Sequence, residues 1–239
     1  MRPNGISIVN VAVALLIVMI AVVIFLPTIG RGRPSPIMGN STQLRGIHLS
    51  MVTYANSNKN FFPGLGSDGL EDKQTLIWQP SEDDGEIPTM QAGLAVHQRM
   101  AILLHGEFLT PYYLISPMET DPNIKPWPER GAIQNGHFSF AMLQVPEESE
   151  GRRAEWYTTL NSRALVVSDR NTATIDRPAS IHTDPGEPWA GSVLWNDNSV
   201  RYELTDTFET RYGEGEANEA DRLFAAESAT DALLIHAGN

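Results

Sequence analysis

The residues whose types could do chemistry cluster late in the chain. Ser180 to Glu203 reads SIHTDPGEPWAGSVLWNDNSVRYE, with Asp169 a short distance upstream. His182, Asp169 and Asp197 are one imidazole and two carboxylates, a donor set sufficient in kind for a divalent cation. Ser168, His182 and an Asp could also be drawn as nucleophile, base and orienting acid. The signatures that accompany such chemistry are missing: there is no Gly-x-Ser-x-Gly elbow, no His-Glu-x-x-His and no phosphate-cradling glycine loop. The expectation is therefore structural, with His182, Asp197 and Asn198 acting through strand-end and turn hydrogen bonds. Asp169-Arg170 reads as a turn ion pair. No catalytic residue, metal or cofactor is assigned.

Two further clusters read the same way. His97 and His105 share a helical face without a third ligand. Glu82-Asp83-Asp84-Gly85-Glu86 is dense in carboxylates but lacks the regular spacing of a calcium loop.

These residues need elements to position them. From Gly136 the pattern is of strands: Phe138, Phe140 and Met142 alternate with Ser139 and Ala141, and Arg163 to Asp169 is a short apolar run. Ser192 to Leu204 reads as two strands around an Asn196-Asp197-Asn198 turn. Upstream, Leu44, Ile47, Met51 and Tyr54 recur at helical spacing, which predicts an amphipathic helix from about Thr42 to Ala55 with a cap in Asn40-Ser41-Thr42. Gln91 to His105 predicts a second helix. Asp231 to His236 reads equally as a closing strand or a helix end.

The formal net charge of −12 argues against nucleic acid as a partner, and the absence of cysteine excludes disulfides and thiolate sites. At the N-terminus, the apolar run Ile6 to Ile29 is long enough to predict a membrane-spanning helix. Arg2 on one side and Arg31, Arg33 and Arg45 on the other leave its orientation open. Gly30 to Pro36 holds two Gly and two Pro and predicts a hinge.

Asn4-Gly5 followed by Ile6-Ser7-Ile8-Val9-Asn10 and an apolar helix containing Pro27 resembles the prepilin-like family, which includes type IV pilins and type II secretion pseudopilins. NSTQLRGIHLSMVTYANSNKNFFPG, Asn40 to Gly64, is similar to the segment that follows the N-terminal helix in one group of that family. The LTPYYLISP stretch and His182 with the strand–turn–strand ending in Asp197-Asn198 resemble that group's later segments.

The resemblance implies cleavage after Gly5 by a prepilin peptidase, a new N-terminus at Ile6, and helix packing through a segment holding Asn10 and a kink at Pro27. Ile6 stands where the family has Phe, and Asn10 where it has Glu; an amide can hydrogen-bond but cannot neutralise an ammonium. The implied fold is α+β and pilin-like: an N-terminal transmembrane helix, an amphipathic helix, and a domain with a small antiparallel sheet.

The expected segments are a head and membrane helix over 1–29, a hinge over 30–40, an extracytoplasmic domain over 41–212 and an acidic tail with a terminal apolar element over 213–239. The expected function is a non-enzymatic, membrane-anchored structural subunit of a secretion or fibre apparatus. It would be single-pass in the inner membrane, with the lipid bilayer, other pilin-like subunits and a prepilin peptidase as partners. The alternative is an uncleaved, membrane-anchored binding module; a membrane-anchored hydrolase is a third reading.

Overall fold

The structure, a computed structural model, describes residues 8–29, 35–66, 69, 76–80, 86–90, 95–146, 148–184, 186–225, 228 and 231–236. It divides into two compact units, Met1–Ser35 and Pro36–Asn239.

The first unit holds helix α1, Ile8–Ile29, in which Asn10 and Pro27 both lie. Gly5 and Ile6 fall outside the described residues. The expectation of a membrane-spanning helix is corrected here: among the described residues no helix is long and apolar enough to cross a membrane. The side chains described on α1 are Val9 and Val11 to Ile20, a shorter stretch than the about 20 apolar residues a bilayer requires.

The second unit opens with α2, Pro36–Ser57. The helix starts earlier than the expected Thr42, and the expected hinge therefore does not extend to residue 40. Proline suits a first helical position because its missing N–H has no intrahelical acceptor to lose. Asn40 is thus an interior residue rather than a cap. The helix ends where Lys59 and Asn60 turn left-handed, at φ 48° and 69°, and Asn60 N–H returns to Ala55 O at 2.8 Å.

Strands β1, Leu76–Pro80, and β2, Glu86–Met90, pair antiparallel. Helix α3 covers Val96–His105, and a 3-10 turn follows at Pro111–Leu114. Strand β3 is Phe140–Leu143, α4 is Glu150–Glu155 and β4 is Leu165–Asp169. Strands β5, Gly191–Trp195, and β6, Val200–Glu203, form the predicted hairpin. Strands β7, Thr207–Thr210, and β8, Asn218–Arg222, form another, and β9 is Leu234–Ile235.

The central sheet is five-stranded and antiparallel, in the order β6-β5-β4-β3-β9. Both of its faces are covered. Leu44, Ile47 and Met51 of α2 share one core with Phe140, Met142, Val167 and Leu194. Ala141, Leu165, Val193 and Trp195 point the other way, into a second core with Trp189, Leu223 and Phe224. This explains why β3, β4 and β5 are buried at every position although a strand alternates its side chains. The stretch from 213, expected as a tail, supplies β8, β9 and the buried Leu223 and Phe224; it belongs to the compact unit.

Candidate functional site

Period-two alternation sets the site. On β4, Asp169 shares a face with Val167, and on β5 Ser192 shares a face with Leu194; both pairs point toward α2. On α2, Asn40 falls on the same stripe as Leu44, Ile47 and Met51. A polar side chain on that stripe is delivered into the sheet face, where Asn40, Asp169 and Ser192 are all fully buried.

The three meet. Asn40 Nδ2 donates toward Asp169 Oδ1 and Oδ2 at 2.9 and 3.0 Å and lies 3.1 Å from Ser192 Oγ. The Ser192 backbone N–H donates to Asp169 Oδ2 at 2.6 Å. His182 completes the cluster, its Nε2 2.8 Å from the same Oδ2 and 3.4 Å from Asn40 Nδ2.

The loop carrying His182 is shaped by Ser180. Its hydroxyl bonds to Ala190 O and accepts the His182 N–H at 3.0 Å. Tyr202 of β6 meets the imidazole edge-on at 5.4 Å; burial first, and then the Asp169 charge, push its phenol above the ordinary range. Gly191 permits the closest approach. A Cβ there would lie 2.7 Å from Trp189 Cζ2 and 3.1 Å from Asp169 Oδ2.

This arrangement ties a helix, a strand and a loop together. A carboxylate removed from water requires several donors, and Asp169 receives them from a helix, a strand and a loop. His182 Nδ1 is buried and, among the described residues, has no hydrogen-bond partner. Ser168 faces away, its hydroxyl donating to Asp169 O at 2.9 Å. Among the described residues, no group of three or more His, Cys, Asp or Glu side chains could hold a metal ion.

Asp197 does not join His182. Its carboxylate accepts from Ser199 N–H at 2.9 Å and from Ser199 Oγ at 2.6 Å, which fixes the β5–β6 turn. Asn198 is left-handed at φ 65°, a conformation that asparagine tolerates well. The Asp169-Arg170 turn pair is also corrected: Arg170 pairs with Glu119 at 2.9 Å instead. Burial would raise the Glu119 carboxyl, but the hydrogen bonds and charge of Arg170 help hold it below its ordinary range.

A second polar cluster lies near that turn. Buried His48 of α2 approaches Asn196 Oδ1 at 3.5 Å; burial lowers its imidazole pKa, against the raising effects of Asn196, Asn198 and Asp197. Asn196 Nδ2 reaches the carbonyls of Glu155 and Tyr157 at 2.7 and 2.9 Å. His97 and His105 both lie on α3. His105 packs edge-on against Trp127 at 4.9 Å, and burial lowers its pKa to about 4.

Sequence reasoning singled out His182, Asp169 and Asp197 but missed Asn40, Ser192 and His48 as partners. The signal available for Asn40 was its place on the apolar stripe of α2. No family model matches the chain, and no curated protein or solved structure matches it.

Proposed function

We propose that the chain is a non-enzymatic structural subunit, similar to prepilins and pseudopilins, of a secretion or fibre apparatus. The observation that carries this reading is the surface of α1. Val9, Val11, Val13 and every residue from Leu15 to Ile20 are exposed. Successive helical residues are rotated by about 100°, so that unbroken run points to all sides of the helix. A helix apolar all round is stable only when surrounded by other apolar matter. Each large apolar side chain so covered contributes about 1.5–3 kcal/mol, and neighbouring copies of α1 supply the cover.

The resemblance at the N-terminus adds processing after Gly5 by a prepilin peptidase. N-terminal sequencing of the protein isolated from its own cells tests this. The expected first residue is Ile6, and Gly5→Leu should leave the precursor uncut; a start at Met1 or Arg2 would remove processing from the reading.

One observation favours a second reading, a binding module for a basic partner. Among the described residues, a cleft of about 460 Å³ is lined by Glu107, Glu129, His105 and Trp127, on a chain of net charge −12. Salt-sensitive capture of a basic peptide, lost in Glu107→Gln with Glu129→Gln, would favour it over the subunit.

A further inference from the structure

The second face of the central sheet is not filled along its whole width. Over β4 and β5 it carries Leu165, Val193 and Trp195, but β3 presents only Ala141, and the small side chain leaves room. A cavity of about 630 Å³ opens there. Its floor is Ala141 with Leu234 of β9, both buried. Phe224 forms one wall and is backed by Trp189, whose ring stands edge-on to it at 5.7 Å. Ala173 and Ile175, on the strap 171–179 that follows β4, form the other.

Both walls are held in place. The Asn171 side chain is committed to the strap: Oδ1 accepts the Ala173 and Ala179 N–H groups at 3.0 and 3.1 Å, and Nδ2 donates to Thr174 O at 3.2 Å. Arg222 of β8 donates to Ile175 O at 2.7 Å. On the Phe224 side, Leu234 N–H donates to Leu223 O at 2.7 Å. The cavity is thus pre-formed, as ligand sites usually are.

Two polar side chains of the lining are left for a ligand. Gln144 offers an amide, both donor and acceptor. His236 Nε2 lies 2.8 Å from Phe138 O, which can only accept, so Nε2 carries the proton. Burial lowers the imidazole pKa, against the raising effect of that bond, and the neutral ring keeps Nδ1 as an acceptor. None of the residues lining the cavity is Asp, Glu, Lys or Arg, so a charged head would lose its water there without gaining a counter-ion. We propose that this cavity binds an uncharged, mainly aliphatic molecule whose one polar head is a hydroxyl or an amide. The head meets Gln144 and His236, and the body lies between Phe224 and the strap. The volume suits a small organic ligand, whose sites span roughly 300–1,000 Å³. The inference is independent of the subunit reading above, because it needs nothing from α1.

Photolabelling of the full-length protein tests this. The probe is an eight-carbon alcohol carrying a diazirine on its chain, and labelled peptides are mapped by mass spectrometry. Labels are expected on the strap at Ala173 and Ile175, and at Phe224 and Ala225. Excess 1-octanol or octanamide should remove most of each label, whereas octanoate and octylammonium should not. Ala173→Trp, at an exposed position of the strap, should fill the cavity and abolish these labels while any on α1 persist. Gln144→Leu, which touches only the head, should lower them about fivefold, the effect of one hydrogen bond. Labels confined to α1, or equal protection by octanoate, would overturn the inference. So would unchanged labelling in either variant that keeps the parent's circular-dichroism spectrum.

Discussion

His182 Nε2 lies 2.8 Å from Asp169 Oδ2, with the two side chains 1% and 0% exposed. The partners come from a loop and a strand end, and Asn40 adds the helix. Breaking such a buried pair from one side leaves a polar group without compensation. His182→Ala is expected to lower unfolding stability by about 3 kcal/mol in a denaturant titration. Asn40→Ala should act in the same direction, and the double variant should lose less than the sum, because both remove donors from one carboxylate. Strict additivity would show that the cluster does not act as a unit.

Gly191 gives a steric prediction. Gly191→Ala places a methyl against Trp189 and the Asp169 carboxylate, and Trp189 is itself fixed in the second core. A loss of about 1–3 kcal/mol is expected, measured by thermal unfolding. Gly151, where a Cβ would meet Tyr212 O at 3.1 Å, should be less sensitive to the same change.

Asp221 gives a pH dependence of unusual sign. Burial raises its carboxyl to about 6, against the lowering hydrogen bonds from Thr210 and Ala232, and Oδ1 is buried without a partner. The folded state therefore holds the proton more tightly than the unfolded chain. The stability this confers is full below about 4 and is lost as pH rises through about 6, on the order of 3 kcal/mol in all. His105 acts oppositely in the same window. Its lowered pKa makes the neutral form the favoured one in the fold, so stability is lost as pH falls from about 6.5 toward about 4. The two separate by subtraction: Asp221→Asn should remove the falling limb from a stability–pH curve, and His105→Gln the rising one.

Asn198 tests the turn. Its φ of 65° suits Asn or Gly and opposes branched side chains. Asn198→Gly should stay within about 0.5 kcal/mol of the parent, whereas Asn198→Val should lose about 1–2 kcal/mol; circular-dichroism melts would distinguish them.

Much of the domain was legible because its signals are local. Leu44, Ile47 and Met51 mark α2 by spacing, and the Asn196-Asp197-Asn198 turn marks the β5–β6 hairpin. What was not legible depends on partners far along the chain. Asn40 looks like a cap when only its neighbours are considered, but Pro36 opens the helix earlier and Asn40 meets Asp169 inside. Asp197 looks like a partner for His182 because the two are close in sequence, yet the hairpin turns its carboxylate back onto Ser199. The stretch from 213 looks like a tail because Glu214, Glu216 and Glu219 dominate it, while Leu223 and Phe224 just beyond them complete a core. The length of apolar sequence at the start suggested a membrane span, which the described residues do not provide.

The buried cluster also bears on how the protein is made. Asn40 and Ser192 stand 152 positions apart, and the inner stripe of α2 is covered by strands from the second half of the chain. A ribosome therefore releases α2 long before its cover exists, and the helix emerges with Leu44, Ile47 and Met51 bare. Closing so distant a contact is slow, and during that interval the nascent chain displays its own core. The delay ends only when Asp169, His182 and Ser192 have left the exit tunnel.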